Sequence, residues 1–197
     1  MAHWLADNLD AELITLVILT GIVGLIGLFM NNIPIIIGAM VISPLMAPIH
    51  LSAISLAKRD IITFLKHMTI LLILLAIMVF TSALITYMVS RVMTIQLTRE
   101  IISYVDINFL YILLAIALGI TVIVADRRGF LSNVIGIWIA IALVPPTVVA
   151  GIMIVINPDR STGAFVVMLY NIVGLLIGML AALLVLKPVE EKPVKKK

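Results

Sequence analysis

Six stretches of this chain run for about 20 residues without a carboxylate, lysine or arginine, and that pattern constrains the fold more than any other. They are Leu13 to Met30, Ile33 to Ala57, His67 to Ser90, Phe109 to Ala125, Asn133 to Ile156 and Ala164 to Leu186. A run of that length, apolar on every face, crosses the roughly 30 Å hydrocarbon core of a bilayer as an α-helix. Barrel strands are shorter and alternate between two faces, which these runs do not do. The predicted fold is therefore all-α, an integral membrane protein of six transmembrane helices. Composition agrees, because 63% hydrophobic and 12% charged residues, with a mean hydropathy of +1.30, leave too little polar surface for a soluble domain.

The basic residues give the orientation. Six spans place both termini and two loops on one side, where Lys58, Arg59, Lys66, Arg127, Arg128, Lys187 and the tail lysines lie. The other side has Arg91, Arg99 and Arg160, so ten of the 13 basic residues share the first side. That side is predicted to be the cytoplasmic face of the cell inner (plasma) membrane, with both termini on it. One transmembrane domain is expected over residues 1–190, followed by a basic cytoplasmic tail, 191–197, that sets topology and can lean on anionic lipid. Asp7, Asp10 and Glu12 precede the first apolar run where a cleavable signal would be basic, so the first helix is expected to stay. Trp4, Leu5, Leu9 and Leu13 fall at spacings near four and predict a short interfacial helix with Trp4 at headgroup level. The longest connection, Arg91 to Asn108, mixes apolar and polar residues and is expected along the outer interface as an amphipathic linker, with a lid as the functional alternative.

Several chemistries are excluded. With no cysteine there is no disulfide, thiolate metal site or cysteine nucleophile. The spans carry no deep acid or base for a proton relay or voltage sensor. His3, His50 and His67 are too scattered for a zinc motif, and no hydrolase or phosphate-binding signature occurs. The chain is expected to be no enzyme, to need no metal or cofactor, and to bind no nucleic acid.

The prolines are more informative. Asn31 and Pro44 recur as Asn133 and Pro146 at one offset, 102 residues, which also brings Ile33, Ile35 and Ile37 onto Ile135, Ile137 and Ile139. Half-repeats over 13–90 and 109–187 follow. With three spans each, the second would be inverted relative to the first, an architecture suited to alternating access. The second span contains Ser43, Pro44 and Pro48; the fifth contains Pro145, Pro146 and Thr147. A proline removes a backbone donor and clashes with the preceding turn, so both helices are expected to break, leaving carbonyls near residues 141 and 142 without donors. Lipid cannot satisfy such groups; neighbouring helices, hydroxyls, water or a bound ion must. The plainer reading is a pair of structural kinks.

Of the remaining intramembrane polar groups, most are packing contacts between helices. Asn171 stands out because an amide offers two donors and an acceptor. His50, two residues after Pro48, reads as a gate that titrates near neutral pH, or as a hydrogen-bonded structural histidine. Asp126 and Arg127, in the turn between the fourth and fifth spans, read as a cytoplasmic gate or as a stop signal. Asn31 and Asn32 are assigned to turn formation. Gly21, Gly24 and Gly27, with Gly174 and Gly178, allow close helix approach within a subunit or between subunits, and a homo-oligomer is expected.

The segment from Gly38, Ala39 and Met40 through Ser43, Pro44, Leu45 and Met46 to Pro48 resembles the first signature of a family of hydrophobic prokaryotic membrane proteins known as domain of unknown function 389. Ala140, Ala142, Leu143, Pro145 and Pro146 resemble its second, and Asn171 also fits. The resemblance covers nearly the whole chain and implies a multi-span membrane protein, one suspected of transport, without naming a substrate. Many relatives are understood to carry a soluble domain before the spans, which this chain departs from. The function expected is a transporter or channel for a small ion or polar solute, lined by the broken second and fifth spans through Ser43, Pro44, Pro48, Pro145, Pro146, Thr147 and Asn171. A non-catalytic membrane scaffold or partner subunit is the alternative.

Overall fold

A computed structural model describes residues 9–186. The segment around Trp4, the tail 191–197 and the side chain of Asn133 lie outside what it describes. Every regular element among the described residues is an α-helix: α1 (Ala11–Phe29), α2 (Ile33–Ile42), α3 (Met46–Ala57), α4 (Ile61–Ser90), α5 (Arg99–Ser103), α6 (Leu110–Arg127), α7 (Ser132–Ile156) and α8 (Pro158–Val185). Five of these are long and apolar enough to cross a membrane, and six do if α2 and α3 count as one span.

The ends of the helices follow from local chemistry. Asp10, Asn32, Asp60 and Thr98 cap α1, α2, α4 and α5, each accepting the amide three residues on. Asp60 also accepts the Thr63 hydroxyl at 2.6 Å, and these bonds, the side-chain one foremost, hold its carboxyl below the usual range. Helices α1, α3 and α6 each stop on a residue in the left-handed region, Asn31 (φ 50°), Arg59 (φ 61°) and Gly129 (φ 74°). In each case the next amide reaches back to close the last turn, as Asn32 does to Gly27 at 2.9 Å. Asn31 and Asn32 are thus the turn-formers expected.

Helix α7 is the axis of the bundle. Its most apolar window is 78% buried, against 28–44% for the other four long helices, and α1, α2, α3, α4, α6 and α8 all pack on it. Small residues set the closest approaches. A Cβ on Gly151 would meet the backbone of α4 at Val79, and one on Gly178 or Gly119 would collide with the facing backbone of α6 or α8. The pair α6–α8 is therefore the tightest in the molecule, and it fixes how α8 presents itself to α7.

The long connection is pinned, not loose. Thr98 donates its hydroxyl to Leu28 at 2.8 Å, the Glu100 amide reaches the Asn31 side chain at 3.4 Å, and Ile101 is fully buried. Val105 packs its backbone onto Gly163 at the start of α8. Burial raises the Tyr104 phenol above its usual range, so this segment carries a neutral tyrosine.

One expectation needs correction. The fifth span does not break: α7 runs without interruption from Ser132 to Ile156 with Pro145 and Pro146 inside it. The second does, at Ser43–Leu45, where α2 and α3 are bent by 60°. The physical reason lies in what surrounds each pair of prolines.

Candidate functional site: two proline segments in the bundle interior

Pro44 follows Ser43, whose backbone is extended (φ −69°, ψ 128°), the conformation a residue before proline prefers. That ends α2. The Met40 carbonyl, which position 44 would have served in a continuous helix, takes the Ser43 amide instead at 3.3 Å. Pro48 then falls in the first turn of α3, where an amide would have no intrahelical partner, so it costs no bond there. Leu45 provides no side-chain cap to α3. The break thus presents the last carbonyls of α2 and the first amides of α3, and beside them the Ser43 hydroxyl is buried without a hydrogen-bond partner.

The break faces α7. A Cβ on Gly136 would sit 3.6 Å from Met46, and one on Gly24 would sit 3.6 Å from Ala39 and within 3.7 Å of Val144 and Val148. These contacts, with the packing of α2 and α3 on α7, set the two short helices against the stretch of α7 from Gly136 to Val148.

In that stretch the second proline pair is handled differently. Pro145 and Pro146 remove the donors for the carbonyls of Ile141 and Ala142. The Asn171 side chain, 2% exposed on α8, donates Nδ2 to the Ala142 carbonyl at 2.6 Å. Thr147, fully buried, donates its hydroxyl to Leu143 at 2.6 Å. One donor lost to proline is thereby replaced from a neighbouring helix, and the helix continues. Both polar side chains singled out around the proline pair are spent on backbone carbonyls one turn before it. Sequence reasoning had both halves of this contact, the bare carbonyl and the unusual amide, without joining them.

In the first half of α3, His50 is nine-tenths buried and its Nε2 makes no hydrogen bond. It stands 3.8 Å from Oδ2 of Asp126, which is half exposed at the end of α6. Two of the three gate residues are thus brought together, while Arg127 follows on the last turn of α6 with interactions of its own. This contact sets the first half of α3 against the last turn of α6.

The sequence also undervalued Thr86, which is fully buried in α4 with an unpartnered hydroxyl. Three clefts open elsewhere. One of about 370 Å³ lies between the ends of α1 and α4 and the following segment, lined by Met30, Met93, Gln96 and Thr98. The others, about 390 and 600 Å³, flank Phe80 of α4 and are almost wholly apolar. None of these three touches the proline segments.

No solved structure matches the chain. An uncharacterized protein of Methanocaldococcus jannaschii is 27% identical over 170 residues, covering 85% of this chain and 52% of that protein, so the chain spans about half the length of that relative. A family model described as a domain of unknown function (DUF389) matches residues 40–177, which include both proline segments, His50, Asp126 and Asn171. The chain belongs to the DUF389 family.

Proposed function

We propose that this protein is a transporter or channel for a small ion or polar solute, with its pathway at the α2–α3 break where that break faces α7. The observation that carries this reading is the combination of an unpartnered Ser43 hydroxyl with the N-terminus of α3, which has no side-chain cap, at a helix break within the bundle. Irregular backbone at such depth is tolerated where it lines a wet cavity or is buried in protein, and opposed half-helix ends are the usual binding element of transporters. Carbonyls and amides meet there, which suits a cation on the carbonyl side or a neutral polar solute across both.

The same reading takes α2 and α3 as one span. Helix α2 rises about 15 Å, and α3, inclined by 60°, adds about 9 Å, so with the break residues the pair nearly covers the roughly 30 Å core. Six spans then put both termini and the His50–Asp126 end in the cytoplasm of a cell whose inner membrane holds the protein, in agreement with the charge count. His50, Asp126 and Arg127 would gate the cytoplasmic mouth. The 3+3 inverted repeat belongs to this proposal, as do the contacts with lipid and with further copies of the chain.

The test is flux. Purified protein in liposomes is expected to move a tracer cation or a neutral polar solute above the protein-free background. Ser43→Ala is expected to lower that rate about tenfold. Background flux with wild-type protein for every tracer tried, or a rate that Ser43→Ala leaves unchanged, contradicts the assignment. A membrane scaffold or partner subunit is the second reading, favoured by the dense packing around α7. It predicts no flux and stable co-purification of another protein.

A further inference from the structure

We propose that Asn171 is the latch of a proline hinge in α7. The inference rests on the geometry of α7 and α8 alone and stands whether or not the bundle conducts.

A continuous α7 carries an unusual load. Pro145 and Pro146 delete the donors for two successive carbonyls, and both Val144 and Pro145 are pre-proline residues held helical against their preference for extended backbone. Against this stands one identified replacement donor, Asn171 Nδ2 on the Ala142 carbonyl. Without it that carbonyl would be bare among Ala142, Leu143, Val144 and Val148, all buried and apolar. An unsatisfied buried carbonyl is costly, and a bend at the prolines would turn it towards other donors.

The other proline segment shows what happens without such a donor. α4 packs on α3 as α8 packs on α7, but it contains no asparagine or glutamine; of its hydroxyls, those of Thr81 and Ser82 bond their own backbone and that of Thr86 has no partner. The α2–α3 segment is broken; α7 is continuous. Asn171 is thus a positioning residue. Its release would let α7 adopt a bend of the α2–α3 kind, and its engagement holds the straight form.

The chain has no cysteine, so spin labels at Ser132→Cys and Ile154→Cys report on α7 alone. A straight helix separates these positions by about 33 Å, and a 60° bend at the prolines shortens that to about 29 Å. Pulsed dipolar spectroscopy on the otherwise wild-type chain is expected to give the longer distance. Asn171→Leu, which keeps the volume and removes the donor, is expected to raise the share of the shorter distance about tenfold or more. Adding Pro146→Ala to Asn171→Leu should abolish it, because an N–H at position 146 reaches the Ala142 carbonyl directly. An unchanged distribution in Asn171→Leu overturns the proposal, as does a short distance that persists in the double variant. Should Asn171→Leu not yield folded protein, recovery of folded protein in the double variant supports the latch and continued loss refutes it.

Discussion

The α2–α3 segment and α7 contain the same disruptive ingredient in the same kind of sequence, and they respond in opposite ways. Around Pro44 and Pro48 the helix stops, turns through 60° and restarts. Around Pro145 and Pro146 it continues. Spacing accounts for part of the difference. Prolines four apart would disrupt two consecutive turns of a continuous helix, and a break after Ser43 lets Pro48 occupy a first turn, where it is harmless. Adjacent prolines disrupt one turn only, and α8 supplies an amide at that turn. A proline in an apolar helix therefore does not by itself specify a break; in α7 a neighbouring helix replaces one of the two lost donors.

That comparison can be broken at the α6–α8 pair, which sets where Asn171 stands. A side chain at Gly178 would collide with the backbone of α6 at Ile116, so Gly178→Ala is expected to destabilise the protein by about 3 kcal/mol, read as a lower thermal midpoint in detergent. A midpoint within error of wild type would mean that α8 can shift freely, and that the Asn171 contact is not held by it.

A smaller effect concerns the turn that joins α3 to α4. Asp60 is held below its usual range by Thr63, so its carboxylate favours the fold at pH values above the ordinary carboxylate range, and that contribution is lost as pH falls through the lowered value. Asp60→Asn is expected to remove this acid-side loss and leave the neutral-pH midpoint nearly unchanged, the group being exposed. A pH profile identical to wild type would show that the turn contributes nothing to holding α3 on α4.

Much of the fold was legible because it depends on properties that lipid makes additive. The apolar runs from Leu13, His67, Phe109, Asn133 and Ala164 each lie within one long helix, with ends a few residues away from the capping residues that close them. Asp10 and Asp60, whose capping bonds extend α1 and α4 before their apolar runs, are local signals of the same kind. The proline segments were legible only as places of missing donors. Whether a missing donor becomes a break depends on a contact between residues 29 apart in sequence, Ala142 and Asn171, which no local pattern contains. The approach of His50 to Asp126 is likewise tertiary, since it joins the first half of α3 to the end of α6.

A pathway at the α2–α3 break requires that break to be wet. A single Ser43→Cys in this cysteine-free chain, labelled in sealed membranes, tests it most directly. A small, charged, membrane-impermeant thiol reagent is expected to modify it at a rate well above that of a lipid-facing control such as Phe80→Cys. Modification of Ser43→Cys only by a lipid-soluble reagent, or by neither, would contradict the claim and leave the break as a feature of packing.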